Sequence, residues 1–218
     1  MHKNVNNLIS IQDSLKDNSN KTELPTIIAV SKKFKLGEII PLINHGHKHF
    51  GENQVQEAME KWNDIKNDFI DIKLHMIGKL QTNKVKYVIG LFDFIHSLDN
   101  YKLAEKISNE QIKLNKKTKL FIQVNIGREK QKNGIEINNL ELFYKKCIDD
   151  FNLDIIGLMC LPPNDTNANK YFLEMKSLSN NLGLKELSMG MSNDYIDATK
   201  QGSTFIRVGS KIFGNRPS

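Results

Sequence analysis

Cysteine is scarce in this chain: Cys147 and Cys160 are the only two in 218 residues, far apart and outside any C-x-x-C spacing. That spacing argues against a disulfide framework and a cysteine-based zinc site, and it fits free thiols in a reducing compartment. No apolar run approaches the roughly 20 residues that a membrane helix requires. The opening segment, MHKNVNNLISIQDSLKD, is polar with spaced Ile and Leu, unlike a secretory signal. These absences predict a cytoplasmic protein with no membrane partner. Proline (5) and glycine (13) are too few for a collagenous or disordered chain. No linker, low-complexity tract or repeat interrupts the sequence, so residues 1–218 are expected to form one domain.

Acidic residues are in modest deficit, 25 against 31 Lys and Arg, for a formal charge of +6. A surplus of this kind attracts polyanions when it is gathered into a patch. Here the lysines are interspersed with acids, as in ISNEQIKLNKKTKL, and RNA-type stacking motifs are missing. The pattern is a lysine-rich solvated surface, and no nucleic-acid partner is expected.

What is present is a regular alternation of two periods. Continuous apolar runs, as in a parallel sheet covered on both faces, fall at 26–31 (TIIAVS), 48–52, 73–78, 94–98, 119–125, 154–160, 186–190 and 205–210. Amphipathic stretches separate them, among them LGEIIPLINHG, NQVQEAMEKWNDI and NYKLAEKISNEQIKL. A further helix over residues 4–17 precedes the first run, and the short tail KIFGNRPS follows the last. The reading is an α/β fold, a (β/α)8 TIM barrel with an extra N-terminal helix, with a doubly wound open sheet as the alternative.

A barrel places its chemistry at the C-terminal strand ends. Those ends carry Lys32 and Lys33, Glu52-Asn53, His75 with Gly78, Ser97-Leu98-Asp99, Asn125, Met159-Cys160, Gly190-Met191-Ser192, and Arg207, Gly209 and Ser210. SMGMSND and FIRVGSKIFG each end a strand with glycine and open a helix near serine, the arrangement that binds phosphate after strands seven and eight of many barrels. Arg207 lies two residues before Gly209, on the same strand face, with donors only to offer. Two lysines at the end of a buried run are costly to desolvate unless they reach solvent or take part in chemistry. A lysine, a phosphate cradle and an arginine in one barrel mouth suggest Schiff-base chemistry, a logic that aldolases and pyridoxal phosphate proteins share.

The ordered set AVSK (29–32), HFGENQVQE (49–57), HMIGKLQTNKVK (75–86), IHSLD (95–99), QVNIGREKQKNG (123–134), GLMCLPP (157–163), LSMGMSNDYIDA (187–198) and GSTFIRVGSKIFGNR (202–216) resembles the pyridoxal phosphate homeostasis protein family, single-domain relatives of the alanine racemase barrel. The resemblance implies that Lys32 carries pyridoxal 5'-phosphate as a Schiff base, with Lys33 solvated on the opposite strand face. It implies that Ser192, Gly209 and Ser210 hold the phosphate, with Met191 at the same edge. Arg207 would face the pyridine nitrogen or the phosphate, and Asn53 and His75 would line the pocket, although His75 also reads as a core histidine. Leu74 stands where the family usually has an aromatic residue, Lys79 where histidine is commoner, and Cys160 where threonine is usual.

The implied function is a pyridoxal phosphate carrier acting in intracellular homeostasis of the cofactor without strong catalysis. It would be monomeric and would supply pyridoxal phosphate-dependent apoenzymes. The alternative is an amino-acid racemase of the alanine racemase type. Racemisation needs a second base on the other ring face, which the related racemases supply as a tyrosine from an added β-domain. The sequence ends at Ser218 without such a domain, and its five tyrosines lie in helix-like stretches.

Overall fold

The structure is a computed structural model that describes residues 1–18, 23–163 and 167–215. Eight strands follow in chain order: β1 (Thr26–Val30), β2 (His49–Glu52), β3 (Lys73–Met76), β4 (Phe94–Leu98), β5 (Lys119–Val124), β6 (Ile155–Cys160), β7 (Glu186–Met191) and β8 (Phe205–Val208). Each pairs in parallel with the next, and β8 returns to β1 with Thr26 opposite Phe205 and Ala29 opposite Val208. The sheet is therefore a closed barrel, and the open-sheet alternative is excluded. Every anticipated strand is present with ends within two residues. The largest differences are at β3 and β8, where the apolar runs extend past the last ladder bond. Gly78 turns there to pack on the Asn53 backbone, so close that a Cβ at 78 would stand 2.3 Å from the Asn53 carbonyl oxygen.

The helices are α1 (Lys3–Asn18), α2 (Leu36–Asn44), α3 (Val55–Asp68), α4 (Val85–Leu91), α5 (Tyr101–Leu114), α6 (Leu140–Asp149), α7 (Ala168–Asn181), α8 (Tyr195–Lys200) and α9 (Ser210–Phe213). Single 3-10 turns at Thr82–Lys84 and Ile137–Asn139 lead into α4 and α6. The anticipated tail contributes α9, and its residues 216–218 lie outside the described residues. Val5, Leu8, Ile11 and Leu15 line the buried face of the expected N-terminal helix, α1. It packs against α2, α8 and α9. Asn4 Nδ2 donates to the Glu38 carbonyl and Asn7 Nδ2 to the Ile212 carbonyl, tying α1 to α2 and α9.

Strand side chains alternate between two cores, as the pleat requires. Outward ones meet the helices, with Phe50 against Trp62 at 5.0 Å and both fully buried. Inward ones, Ile28, Phe94, Phe121, Met159 and Phe205, form a separate apolar cluster that fills the barrel. Among the described residues no helix is long and apolar enough to cross a membrane.

Candidate functional site

The C-terminal strand ends surround a cavity of about 480 Å³. Lys32, Asn53, Met191, Ser192, Arg207, Gly209 and Ser210 all line it, with Val30, Phe34, Ile77 and Leu161 as apolar wall and Asp194 as a carboxylate. Four strand ends thus bring together seven of the eight residues singled out from sequence.

The paired lysines separate because β1 ends at Val30 and both lie in a turn. Lys33 takes the left-handed conformation, φ +66°, and its backbone N–H donates to the Glu57 carboxylate. The reversal leaves Lys32 half-buried on the cavity wall and Lys33 exposed. Lys33 is therefore solvated as expected, but it sits in a turn, not on the opposite face of a strand.

A buried ion network holds this turn from below. Glu52, at the end of β2, has a fully buried side chain. Its Oε1 accepts from Ser31 Oγ at 2.7 Å and from Trp62 Nε1 at 3.0 Å. Lys61 on α3 places Nζ 2.7 Å from Glu52 Oε1 and 2.9 Å from Glu57 Oε1, and donates to the Ser31 carbonyl at 2.8 Å. Burial raises the Glu52 pKa, against the opposing pull of Lys61, Trp62 and Ser31. The residues flanking Lys32 are thus fixed through backbone and side chain alike.

On the opposite wall, β7 ends in a turn in which Asp194 Oδ1 accepts from the Met191 N–H at 2.6 Å. Gly190 has φ +90°, and a Cβ there would lie 2.5 Å from the Cβ of Ala198. Only glycine makes that bend against α8. The Gly209 N–H reaches Ser192 Oγ at 3.4 Å, linking the two loops that carry the serines. A Cβ at Gly209 would meet Val30 at an ordinary 3.4 Å, so the protein itself leaves room there.

Arg207 is 4% exposed and held on three sides. Nη1 donates to the Ser188 carbonyl and to Ser188 Oγ, both at 2.7 Å, and Nη2 donates to the Cys160 carbonyl at 2.8 Å. Burial lowers its pKa, yet a guanidinium starts high enough to stay charged at neutral pH. Cys160 itself is fully buried, and burial pushes its thiol up to about 12, so it is a packed, protonated side chain.

His75 does not line the mouth. It points into the barrel, wholly buried, with its ring stacked on Phe94 at 4.3 Å and 6°. The cause is depth along the barrel: His75 and Ile77 share one strand face, but His75 sits one residue before the last residue of β3, inside the barrel, and Ile77, two residues further on, takes the wall position. Ser97, Asp99 and Asn125 are also at strand ends but do not line the cavity. Sequence reading missed Asp194 and the Glu52–Lys61 network. Glu57 and Lys61 at i, i+4 are a visible helical pair, but nothing in the sequence shows that Glu52, on a strand, is the third member.

Taken together, the cavity offers an amine, an anchored guanidinium and two loop hydroxyls inside a closed parallel barrel. The family model described as alanine racemase, N-terminal domain, matches residues 7–217. A pyridoxal phosphate homeostasis protein of Aquifex aeolicus is 37% identical over 199 residues, covering 87% of this chain and 86% of that one. Its counterpart in Haemophilus influenzae is 34% identical over 217 residues, covering 94% and 91%. The chain belongs to the pyridoxal phosphate homeostasis protein family, built on the alanine racemase N-terminal domain. Among solved structures, PipY of Synechococcus elongatus with PLP bound is similar at 32% identity and TM-score 0.86, over 97% of this chain and all of that one. An alanine racemase of Clostridium difficile, 14% identical with TM-score 0.73, shares the fold over 56% of its length.

Proposed function

We infer that this chain binds pyridoxal 5'-phosphate in the 480 Å³ mouth and serves as a carrier in its homeostasis, as a monomer in the cytoplasm that supplies pyridoxal phosphate-dependent apoenzymes. The observation that carries the reading is the convergence of Lys32, Arg207, Ser192 and Ser210 on one cavity. The donor set fits an aldehyde that bears a phosphate. The amine of Lys32 would hold the aldehyde end, and the turns after β7 and β8 would hold the anionic end through Ser192, Gly209 and Ser210. Val30, Phe34, Ile77 and Leu161 supply apolar surface for a ring, and Asn53 and Met191 close the edges.

The cofactor would supply an aldehyde that an amine can hold, and a ring that withdraws electrons when its nitrogen is protonated. Arg207 has no proton to give up, so a ring nitrogen that accepts from it stays unprotonated and withdraws weakly. A racemase further needs acid–base groups on both ring faces. None of Tyr87, Tyr101, Tyr144, Tyr171 and Tyr195 lines the cavity, and Asp194 is engaged with the Met191 amide. These features support holding the cofactor over turning it over. The test is to titrate purified protein with pyridoxal phosphate, follow absorbance, and assay alanine racemisation. The carrier reading expects a Lys32-dependent shift of the cofactor band and racemisation no faster than free cofactor. Enzyme-like turnover overturns it.

A further inference from the structure

Five side chains form one continuous hydrogen-bonded line through the barrel. His49 Nδ1 lies 2.9 Å from His75 Nε2, and His75 Nδ1 lies 2.9 Å from His96 Nε2. His96 Nδ1 lies 2.8 Å from Ser188 Oγ, which accepts from Arg207 Nη1 at 2.7 Å. The imidazoles are clamped sideways as well: His75 stacks on Phe94 and His96 on Phe121 at 4.2 Å. At its far end His49 lines a second cavity, about 460 Å³, at the N-terminal ends of β1 and β2. The line therefore joins the two ends of the barrel.

Its polarity can be derived. Arg207 only donates, so one lone pair of Ser188 Oγ is taken. Among the described residues the other partner of that buried oxygen is His96 Nδ1; it offers the hydroxyl proton its one acceptor, and a buried proton without one is costly, so Ser188 donates to His96 Nδ1. A neutral imidazole that accepts at one nitrogen donates from the other. His96 Nε2–H must donate to His75 Nδ1, and His75 Nε2–H to His49 Nδ1. Each link repeats the choice made at Arg207.

We propose that His49, His75, His96 and Ser188 are positioning residues for Arg207, locked as a single-polarity chain in which every imidazole carries its proton on Nε2. The chain holds the guanidinium at the cavity wall through Ser188. Burial, the leading cause in each case, lowers the pKa values of His49, His75 and His96, which accords with neutral rings. Its consequence for the cofactor rests on the proposed function; its polarity does not.

Two measurements separate the questions. Long-range 15N–1H NMR of the cofactor-free protein is expected to show all three rings neutral with the proton on Nε2. Any of the three carrying an Nδ1 proton at pH 7 overturns the chain. His96→Phe keeps the stack on Phe121 but cuts the line, whereas His96→Gln can still accept from Ser188 and donate to His75. His96→Phe is expected to release the His75 tautomer and weaken pyridoxal phosphate binding about tenfold, with His96→Gln restoring both. Equal behaviour of the two variants overturns the positioning role. The Nε2 pattern in a wild-type protein that fails to bind the cofactor overturns the carrier reading and upholds the chain.

Discussion

Lys61→Met is the substitution whose cost the structure defines most closely. The ammonium lies 2.7 Å from Glu52 Oε1, and the Lys61 side chain is only 11% exposed against 0% for Glu52. Methionine fills the same space but leaves Glu52 with only the Ser31 hydroxyl and Trp62 indole as donors. Its second oxygen, Oε2, already has no hydrogen-bond partner among the described residues. Removing one member of a buried ion pair costs about 3–5 kcal/mol, a large fraction of the roughly 5–15 kcal/mol that holds a domain together. The cost depends on pH. Burial holds the folded Glu52 pKa above its unfolded value, and loss of Lys61 raises it further. The protonated carboxyl therefore supports the fold at low pH, and that support is lost as pH rises through the folded pKa. Urea unfolding of wild type and Lys61→Met at pH 5 and pH 8 should give the larger loss at pH 8. Glu52→Gln in the same chain should restore part of it, because the two residues are coupled. A loss below about 1 kcal/mol at pH 8, or the same loss at both pH values, would refute the reasoning.

Two other predictions come from the barrel ends. Gly78→Ala puts a Cβ 2.3 Å from a backbone oxygen that has no soft way to yield. It should lose about 1–3 kcal/mol in urea unfolding and displace Asn53 from the mouth, and stability within about 0.5 kcal/mol of wild type would contradict the packing argument. His47 donates from Nε2 to the His49 carbonyl, and burial lowers its pKa to about 4. A histidine depressed on folding takes up its proton preferentially when unfolded, so stability falls as pH drops from about 6.5 to 4, by on the order of 3 kcal/mol from this group alone. His47→Gln, which donates but does not titrate, should flatten that part of the stability–pH profile; an unchanged slope would assign it elsewhere.

How much of this was legible in the sequence follows from what each signal depends on. The eight strands were visible because parallel strands buried on two faces must be apolar throughout, as in KLFIQV of β5. The mouth was visible because topology alone sends Lys32, Asn53, Ser192 and Ser210 to one end of the barrel. Depth near a strand end was less secure. His75 and Ile77 differ by two residues along one strand direction, and the depth of each depends on barrel stagger, which no local pattern records. The histidine line was hidden for a similar reason. Its members are 26, 21 and 92 residues apart in sequence and meet only through strand register.

The most direct measurement of the central claim is chemical. Protein incubated with pyridoxal phosphate, reduced with borohydride and mapped by tandem mass spectrometry should carry the pyridoxyl group on Lys32 and not on its neighbour Lys33. Label spread over exposed lysines, or label that persists in Lys32→Ala, would contradict the account.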